Sequence, residues 1–484
     1  MIKNFLLLFI SLGIFSCAKN QTELLTPAAA PVCENKSTQY PNTIQAQNQK
    51  SSVESLNINQ YVAHQNFIVK FKPSFTKGLA PTGNPISEYR VKGLTMKPLN
   101  RNAFIFSVKN SAEEKKIIIQ KLISDNDVDY IEPDYKIAMD QDVHPTEQYS
   151  LADANISQSL EQWSLNKVRA SEAWTVTEGS RDIVVAVLDS GIDYTHNDLK
   201  NNIWINPSES INGIDDDRNG YIDDMYGWNF PAHNSNPIST INSNHGTHVA
   251  GIIGGTGNSI FGLAPNVKLM ALKFIGENGT GSTSDAIRGI DYAIDKKVFA
   301  INNSWGSTGN SVALSEAIAR AEKAGILFVV AAGNGNNGIG FNIDEKKWYP
   351  ASYNNSNIIS VAATNTSDLL APFSNFGKYL VDVAAPGLSI LSTVSNQSYE
   401  RMSGTSMATP VVTGIAVLIK AANPALTYTE IIRLLENSVD RFESMIDKIA
   451  SGGRVNAFSA VRQAREMRIS SGKLQNDCKS FNNN

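Results

Sequence analysis

The sequence predicts an α/β protein whose mostly parallel sheet is covered by helices on both faces. Beyond residue 180, apolar segments rich in Val, Ile, Leu and Ala alternate with segments of helical periodicity. Near-continuous apolar strands of this kind are typical of parallel sheets buried on both sides. The predicted strands are 183–188, 267–275, 299–303, 326–332, 358–363 and 380–384. The predicted helices are 284–296, 312–323, 410–421, 429–438 and 456–467.

The composition is that of an ordinary globular protein. Of its 484 residues, 42% are hydrophobic and 18% are charged, which is close to the average for soluble domains. The formal net charge is −4 and there is no basic cluster, so nothing favours nucleic acid as a partner.

The first 17 residues have the features of an export signal. Lys3 precedes an apolar run, 5–15, which is too short to span a bilayer as a helix. The run ends in Ile14-Phe15-Ser16-Cys17, which resembles a bacterial lipobox and would make Cys17 the lipidated first residue. The alternative is ordinary signal cleavage, in which Cys17 is lost. We expect an exported protein, either in the cell envelope or extracellular, that touches a membrane only through this lipid.

A small domain is expected between a polar linker and the α/β domain. It contains strand-like segments at 67–71, 103–108 and 128–134 and a helical segment at 112–123, a pattern compatible with a small α+β fold. The expected divisions are a disordered linker 18–60, the small domain 61–140, a cleavable connection 141–150, the α/β domain 151–467 and a polar tail 468–484. Cys33 and Cys478 could form a disulfide in an oxidising compartment or remain two unpaired thiols.

Polar residues that follow the predicted strands indicate where an active site would lie. In such folds ligands bind outside the carboxyl ends of the strands, where Asp189, Ser304 and Asn334 stand. Asp189 could orient a histidine and stabilise its charged form, although an aspartate at a strand end is more often a cap or turn residue. Asn334 could donate its amide hydrogen to an oxyanion, or could serve only as a turn residue.

A histidine and a serine complete the candidate catalytic set. His245 opens a helix of small residues, and we assign it as the general base, with His248 packing behind it. Ser406 precedes an apolar helical segment, where backbone N–H groups favour negative charge. Ser406 would attack as nucleophile after giving its proton to His245. Its alternative role is that of a helix N-cap.

These segments together resemble the subtilisin-like serine proteases. The matching blocks are Val187-Leu188-Asp189-Ser190-Gly191, His245-Gly246-Thr247-His248-Val249 and Gly404-Thr405-Ser406-Met407-Ala408. The order Asp, His, Ser differs from that of esterases and lipases, in which Gly-x-Ser-x-Gly comes first. The resemblance covers about 161–467 and implies a serine endopeptidase that acts through an acyl-enzyme. A catalytically silent binding or scaffold protein on the same fold is the alternative.

The resemblance also implies a substrate site. The family binds an extended peptide between two backbone segments, which add it as a strand. The matching residues here are Gly279, Thr280, Gly281, Ser304, Trp305, Gly306, Ala332 and Gly333. Trp348 is bulky where many relatives carry a smaller residue. It could therefore make the pocket for the residue before the scissile bond shallow.

The small domain resembles the inhibitory propeptide of the same family. Its clearest match is Tyr130-Ile131-Glu132-Pro133-Asp134. The resemblance implies a ferredoxin-like α+β fold that occupies the cleft and is cut autocatalytically between residues 139 and 150. The expected partners are therefore peptide and protein substrates and the chain's own propeptide, and the expected state is a monomer.

An acidic loop between the Asp189 and His245 blocks has the spacing of a calcium site. Oxygen ligands recur at alternate positions before a glycine that permits a sharp turn. The expected Ca²⁺ ligands are Asp215, Asp217, Asn219, the Tyr221 carbonyl and Asp223 or Asp224. A calcium loop would carry a glutamate at its twelfth position, where Tyr226 stands here. The alternative is a solvated acidic turn.

Overall fold

The computed structural model describes residues 58–73, 94–100, 102–109, 111–139, 148–149 and 162–481. The expected signal at 1–17 with Cys17, most of the linker, Cys33 and residues 140–147 lie outside the described residues.

The N-terminal part is a four-stranded antiparallel sheet with helices. Its elements are α1 (Ile58–Val62), β1 (Asn66–Phe71), β2 (Leu94–Pro98), β3 (Ala103–Val108), α2 (Ala112–Ser124) and β4 (Val128–Pro133). The strand order β2-β3-β1-β4 is that of a ferredoxin-like sheet, as the sequence predicts. Helix α2 begins where a capping box, Ser111 with Glu114, satisfies free N–H groups of its first turn. Two features differ from expectation: α1 begins inside the stretch expected to be disordered, and β2 has too little apolar alternation to predict.

Two short strands follow this sheet in the chain and belong to other sheets. Strand β5 (Lys136–Ala138) and strand β6 (Gln148–Tyr149) follow β4 in the chain. Each pairs with a strand of the larger domain, β5 with β10 (Thr280–Ser282) and β6 with β16 (Ser398–Met402). Strand β6 falls within the connection 141–150, which therefore contains a short strand.

The larger domain is built on a nine-stranded sheet. Its elements are α3 (Trp163–Lys167), α4 (Ala170–Trp174), β7 (Gly179–Asp189), β8 (Gly227–Asn229), α5 (His245–Gly254), β9 (Asn266–Lys273), β10 (Thr280–Ser282), α6 (Thr283–Asp295), β11 (Ala300–Asn303), α7 (Val312–Lys323), β12 (Leu327–Ala331), β13 (Ile358–Thr364), β14 (Val383–Pro386), β15 (Ile390–Val394), β16 (Ser398–Met402), α8 (Thr405–Ala422), α9 (Tyr428–Asn437), a 3-10 turn (Glu443–Met445), β17 (Asp440–Arg441), β18 (Gly453–Arg454) and α10 (Ala457–Phe481). The sheet order is β17-β18-β14-β13-β12-β11-β7-β9-β8. Every pairing in it is parallel except β17 with β18, which confirms the predicted α/β class.

The sheet separates two apolar cores, one on each face. Val185 and Val187 of β7 lie in the cluster that contains Val411 and Ile415 of α8. Their neighbours in the chain, Ala186 and Leu188, lie in the other cluster, with residues of α6 and α7. Side chains alternate between the faces of a strand, so a strand buried on both faces must be apolar throughout. This is the pattern from which the sequence predicts the sheet.

Helix α8 begins five residues before the predicted start at 410, and Pro410 lies inside it. A proline lacks the N–H that would bond the carbonyl of residue 406. The Ser304 hydroxyl donates to that carbonyl instead, at 2.8 Å. Among the described helices, α8 is the one long and apolar enough to cross a membrane, but 89% of that stretch is buried within the fold. We therefore assign it as a core helix.

The other predicted boundaries agree with the structure to within four residues, apart from the end of α10. That helix continues to Phe481, through most of the segment expected to be a polar tail from 468.

Candidate active site

Asp189 and His245 meet where strand β7 ends and helix α5 begins. Asp189 Oδ1 lies 2.8 Å from His245 Nδ1, and both side chains are buried. The same carboxylate oxygen accepts the Ser190 N–H at 2.6 Å, which fixes its orientation. A Cβ atom on Gly246 would lie 2.2 Å from the Gly191 carbonyl oxygen, so only glycine permits this approach. The arrangement holds one imidazole nitrogen on a carboxylate and leaves the other ring nitrogen for a different partner.

His248, one turn further along α5, has a different hydrogen-bond partner from His245. Its Nε2 lies 2.9 Å from the Glu400 carbonyl oxygen. Burial lowers the pKa of His248 to about 3, so the ring is neutral in ordinary buffers. The structure thus gives the two histidines different surroundings, as expected if only His245 takes part in proton transfer.

Ser406 lies in the first turn of α8 and is joined to Ser304 by two hydrogen bonds. Its hydroxyl donates to the Ser304 carbonyl oxygen at 3.1 Å, while the Ser304 hydroxyl donates to the Ser406 carbonyl. Behind Ser304, the Asn302 side-chain amide nitrogen donates to the Ser304 hydroxyl at 3.0 Å, and the Thr413 hydroxyl donates to the Asn302 side-chain oxygen Oδ1 at 2.7 Å. We did not predict Asn302 and Thr413 as site residues. The signal that could have identified Asn302 is a pair of asparagines, Asn302 and Asn303, in a strand that is buried throughout.

Asn334 holds the N-terminus of α8. Its Oδ1 accepts from the Thr405 N–H at 2.8 Å and from the Thr405 hydroxyl at 2.9 Å. A Cβ atom on Gly404 would lie 3.1 Å from Asn334 Nδ2 and 3.5 Å from the Ser406 backbone nitrogen. The space beside Gly404 is therefore bordered by two N–H groups at once. Converging N–H donors of this kind stabilise an oxyanion.

The two segments expected to bind substrate lie on either side of β5. Gly281 pairs with Ile137 and Thr280 with Ala138 in antiparallel register, and the Met139 N–H donates to the Gly279 carbonyl at 3.2 Å. On the other side, Ala138 pairs with Gly306, next to Trp305 and Ser304. The cleft between these segments therefore binds an extended chain as an added strand, here the chain's own β5.

Trp348 lies beside two further residues expected to bind substrate. Its Nε1 is the atom nearest to where a Cβ on Gly306 would stand, at 2.2 Å, and lies 2.7 Å from the corresponding position on Gly333. Gly333 follows the buried Ala332 and has φ +96°, a conformation that favours glycine. The indole therefore occupies the space between the two glycines.

Two carboxylates of the N-terminal part cap helices of the larger domain. Glu132 accepts from the Ser311 hydroxyl at 2.5 Å and from the backbone N–H groups of Val312 and Ala313 at the start of α7. Asp134 accepts from the backbone N–H of Ser284, in α6, at 2.9 Å and from its hydroxyl at 2.8 Å. Burial raises the pKa of Glu132 to about 7 and that of Asp134 to about 6, against the lowering effect of these hydrogen bonds.

The acidic loop brings together a set of carboxylates that overlaps only in part with the expected Ca²⁺ ligands. Carboxylate oxygens of Glu209, Asp217 and Asp224 lie within 4.8 Å of one another. Glu209 was not among the expected ligands. The Lys296 ammonium bonds the Asp217 carboxylate and lies 3.7 Å from that of Asp224. Burial alone would raise the pKa of Asp217, but the Lys296 ammonium and neighbouring donors lower it.

The other expected ligands bond within the loop. The Asp215 carboxylate accepts backbone N–H groups of Asn219 and Gly220, and Asp223 accepts those of Asn212 and Gly213. The Asn219 amide nitrogen donates to Asp224 at 2.8 Å, and its oxygen accepts from the Tyr221 N–H. The Glu209–Asp217–Asp224 cluster fits a calcium ion, since Ca²⁺ prefers carboxylate oxygens. The Lys296 ammonium competes for the same charge.

A parallel sheet, a paired aspartate and histidine, and a serine in the first turn of a later helix, in this chain order, are typical of one class of serine hydrolase. Residues 180–457 match the model of the subtilase family, Peptidase_S8, and the chain belongs to that family. It is 37% identical over 325 residues to subtilisin-like protease 1 of Plasmodium berghei (strain Anka), covering 63% of this chain and 54% of that protein. It is 34% identical over 307 residues to thermitase of Thermoactinomyces vulgaris, covering 63% of this chain and 97% of thermitase.

A third relative is the minor extracellular protease Epr of Bacillus subtilis (strain 168). The two are 34% identical over 316 residues, which cover 65% of this chain and 43% of that protein. The chain thus matches about half the length of the Plasmodium and Bacillus subtilis relatives.

Proposed function

We propose that this chain is a serine endopeptidase that hydrolyses peptide bonds through an acyl-enzyme. The observation that carries the proposal is the 2.8 Å contact between Asp189 and His245, together with the Asn334 amide nitrogen and the Ser406 backbone nitrogen that border the space beside Gly404. Asp189 holds the His245 Nδ1–H and thereby presents Nε2 as a base. Membership of the subtilase family and thermitase as a relative support the same activity.

The proposed reaction has two halves, formation of the acyl-enzyme and its hydrolysis. His245 Nε2 accepts the Ser406 proton as Ser406 Oγ forms a bond to the peptide carbonyl carbon, and the oxyanion develops in the space beside Gly404. The carbon–nitrogen bond then breaks, and His245 gives the proton to the leaving amine. In the second half a water takes the place of the amine: His245 removes a proton from the water while the water oxygen attacks the acyl carbon. The bond from the acyl carbon to Ser406 Oγ then breaks, His245 returns the proton to Ser406 Oγ, and the free acid is released.

The N-terminal domain acts as a built-in inhibitor that the enzyme removes. Strand β5 occupies the substrate cleft between the segments that contain Thr280 and Gly306. Glu132 and Asp134 anchor the domain on the ends of two helices. Inhibition through an occupied cleft requires no conformational change, and cleavage of the connection would release the domain. We therefore propose that the chain is made as a zymogen that processes itself.

The test is the intact mass of the purified protein beside that of its Ser406→Ala variant. We expect the wild type to lose the N-terminal domain and the variant to remain full length, since only Ser406 supplies the nucleophile. Asn334→Ala, which leaves the nucleophile in place, should process slowly rather than not at all. Processing of Ser406→Ala at the wild-type rate in the absence of other proteases would refute the proposed nucleophile.

The second candidate is a catalytically silent binding protein on the same fold. It would follow if the wild type stayed full length and hydrolysed no peptide even after the N-terminal domain had been removed by an added protease. The occupied cleft of this structure is compatible with both candidates. The paired Asp189 and His245 favour the enzyme, since a binding protein has no need of them.

Export and calcium binding belong to the same proposal. The charged and apolar start of the chain supports export, and one relative is named as extracellular. Lipid attachment at Cys17 and a monomeric state stay predictions. A Ca²⁺ ion would be held by Glu209, Asp217 and Asp224, where it would stiffen the loop.

A further inference from the structure

We propose that Lys273 is a positioning residue for Asp189 and His245, because its buried ammonium fixes the peptide that orients the Asp189 carboxylate. The inference rests on the proposed proteolytic function and adds a residue that acts through another rather than on the substrate. Lys273 is the last residue of β9 and is not among the site residues that the sequence predicts. It acts through Ser190, the residue that follows Asp189 in the chain.

Lys273 is a buried lysine beside the end of β7. Its side chain is 4% exposed, and its backbone is the partner of Asp189 in the parallel register of β7 and β9. Lysine is rarely buried to this extent unless ion pairs or hydrogen bonds compensate for the loss of water. The identity of its partners therefore indicates why a lysine stands at the end of the sheet where Asp189 lies.

The ammonium has two partners of different kinds. Lys273 Nζ donates to the Ser190 carbonyl oxygen at 2.5 Å and lies 3.0 Å from Glu277 Oε1. The Glu277 side chain is 48% exposed, and its other carboxylate oxygen accepts from the Thr240 hydroxyl. An ion pair with an exposed carboxylate contributes little by itself. The bond to the buried carbonyl is therefore the contact through which Lys273 reaches the catalytic pair.

Ser190 joins three parts of the site through its own polar groups. Its N–H donates to Asp189 Oδ1 at 2.6 Å. Its hydroxyl accepts from the Gly246 N–H at 2.9 Å, next to the catalytic histidine, and donates to the Ser243 carbonyl at 3.0 Å. Its carbonyl accepts from Lys273. Ser190 is completely buried, so each of these bonds replaces one that water would otherwise make.

The direction of the Asp189 carboxylate depends on this peptide. Oδ1 is the oxygen that lies 2.8 Å from His245 Nδ1, and the Ser190 N–H is its second contact. The other oxygen, Oδ2, is buried and has no hydrogen-bond partner among the described residues. The N–H and the carbonyl of Ser190 belong to consecutive planar peptides that meet at one Cα. Holding the carbonyl therefore restricts the dihedral angles that direct the N–H at Asp189.

Loss of the ammonium should therefore affect catalysis more than substrate binding. Without Lys273, the buried Ser190 carbonyl loses a donor, and its peptide is free to turn towards another one. The Ser190 N–H would then leave Asp189 Oδ1, and the Nδ1–H of His245 would lose its fixed acceptor. The expected result is an equal loss in kcat and in kcat/KM, with little change in KM.

The first experiment compares the processed wild-type enzyme with Lys273→Met on a quenched fluorescent peptide. Methionine retains the apolar stem and removes the donor. We expect kcat to fall about 10- to 100-fold, as for a small displacement of a catalytic group, while KM stays within about twofold. If the variant does not process itself, an added protease can remove its N-terminal domain. A lysine with only a structural role would lower the melting temperature and leave kcat unchanged, and that result would overturn the inference.

Labelling of Ser406 by a fluorophosphonate measures the nucleophile without a peptide in the cleft. Its rate depends on the activation of the Ser406 hydroxyl by His245. We expect Lys273→Met to slow the labelling by about the same factor as kcat, because the two reactions share the same base. An unchanged labelling rate would show that the base is correctly oriented without the lysine, contrary to the inference.

Lys420 offers a matched control. Its ammonium also donates to a backbone carbonyl, that of Leu426 at 2.7 Å, but it stands in the last turn of α8, far from Ser406 in the first. Lys420→Met should leave kcat and the labelling rate close to those of the wild type. Equal losses in the two lysine variants would contradict a specific role for Lys273.

Glu277→Gln separates the two partners of the ammonium. It removes the ion pair and leaves the bond from Lys273 to the Ser190 carbonyl, so it should lose much less kcat than Lys273→Met. An equal loss would assign the effect to the ion pair and overturn the role of the Ser190 peptide. A wild-type enzyme that hydrolysed neither the peptide nor casein would instead count against the proteolytic function itself.

Discussion

Ser304 and Ser406 exchange hydrogen bonds: the Ser304 hydroxyl donates to the Ser406 carbonyl at 2.8 Å, and the Ser406 hydroxyl donates to the Ser304 carbonyl at 3.1 Å. The exchange has a cause in the sequence, since Pro410 removes the N–H that would otherwise bond the Ser406 carbonyl within the helix. Ser304 thereby supplies the hydrogen bond missing from the first turn of α8 and positions the hydroxyl of Ser406. Ser304 also lies two residues before Gly306, which pairs with Ala138 of β5.

Ser304→Ala should reduce both activity and stability. The Ser406 carbonyl would be left buried without its donor, at a cost of about 1–3 kcal/mol. A small displacement of the nucleophile should lower kcat about 10- to 100-fold with little change in KM. Both effects can be measured with a peptide substrate and thermal unfolding.

A matched control for this variant is Ser360→Ala. Ser360 is a fully buried serine of β13 whose hydroxyl has no partner among the described residues. Its loss should change neither kcat nor the melting temperature by much. If both variants behaved alike, the exchange between Ser304 and Ser406 would have no functional role.

Asn334→Asp separates the two roles of the Asn334 side chain. An aspartate retains an oxygen for the two bonds from Thr405, so the melting temperature should change little. It lacks the N–H directed at the space beside Gly404 and puts a negative charge where the oxyanion would form. We expect kcat to fall by at least about 10²–10³-fold, the usual cost of losing one such donor. A rise in KM with kcat unchanged would place Asn334 in substrate binding instead.

Docking of the N-terminal domain should weaken as pH rises. Burial raises the pKa of Glu132 from 4.5 to about 7, an effect larger than that of its hydrogen bonds to Ser311 and α7, and nearby Glu316 adds to it. Docking therefore favours the protonated acid. The stabilisation is fully present below about pH 4.5 and is lost as pH rises through about 7, on the order of 3 kcal/mol in total. Asp134, with its pKa raised to about 6, acts in the same direction.

Hydrogen exchange of the full-length Ser406→Ala variant measures this effect without proteolysis. After correction for intrinsic rates, the amides of Val312, Ala313 and Ser284 should be better protected at pH 5 than at pH 8. Glu132→Gln mimics the neutral acid and should remove most of the difference at Val312 and Ala313. Greater protection at pH 8 would show that the helix N-termini hold the ionised carboxylates and that burial is the smaller effect.

Apolar periodicity predicts the sheet well but cannot predict where α8 begins. The family follows from three short sequence blocks. The α/β class and most boundaries follow from the alternation of apolar strands with segments of helical periodicity. Pro410 marks a helix start in isolation, because proline is tolerated in the first turn. The helix extends past it only because Ser304, more than a hundred positions away, supplies the missing donor. A contact of that range leaves no trace in the local sequence.

The residues of the candidate site likewise fall into two groups: those that the local sequence reveals and those that only the folded structure reveals. Asp189, His245 and Ser406 stand in short blocks with their own glycines, so their types and order are visible in the chain. Asn302 and Thr413, which support Ser304, depend on the contact of a strand with a helix and are visible only in the structure. In the acidic loop, the spacing of the sequence indicates the segment that contains Asp217 and Asp224. That these carboxylates lie beside Glu209 and Lys296 is visible only in the structure.

Lys296 should compete with calcium for the acidic loop. Its ammonium lies on Asp217 and near Asp224, and like charges at this spacing repel one another without a cation. Lys296→Met would remove that charge and leave the three carboxylates to a metal ion. Calcium should then raise the melting temperature of the variant more than that of the wild type, since a ligand that binds only the folded state stabilises it.

The measurement is thermal unfolding in millimolar CaCl₂ and in EDTA, for the wild type, Lys296→Met and the double variant Lys296→Met/Asp224→Asn. The calcium effect gained by the single variant should be lost in the double variant, which retains the loop but lacks one ligand. If calcium changed none of the three melting temperatures, the lysine would be the cation of this cluster. The loop would then be an internal ion pair rather than a metal site.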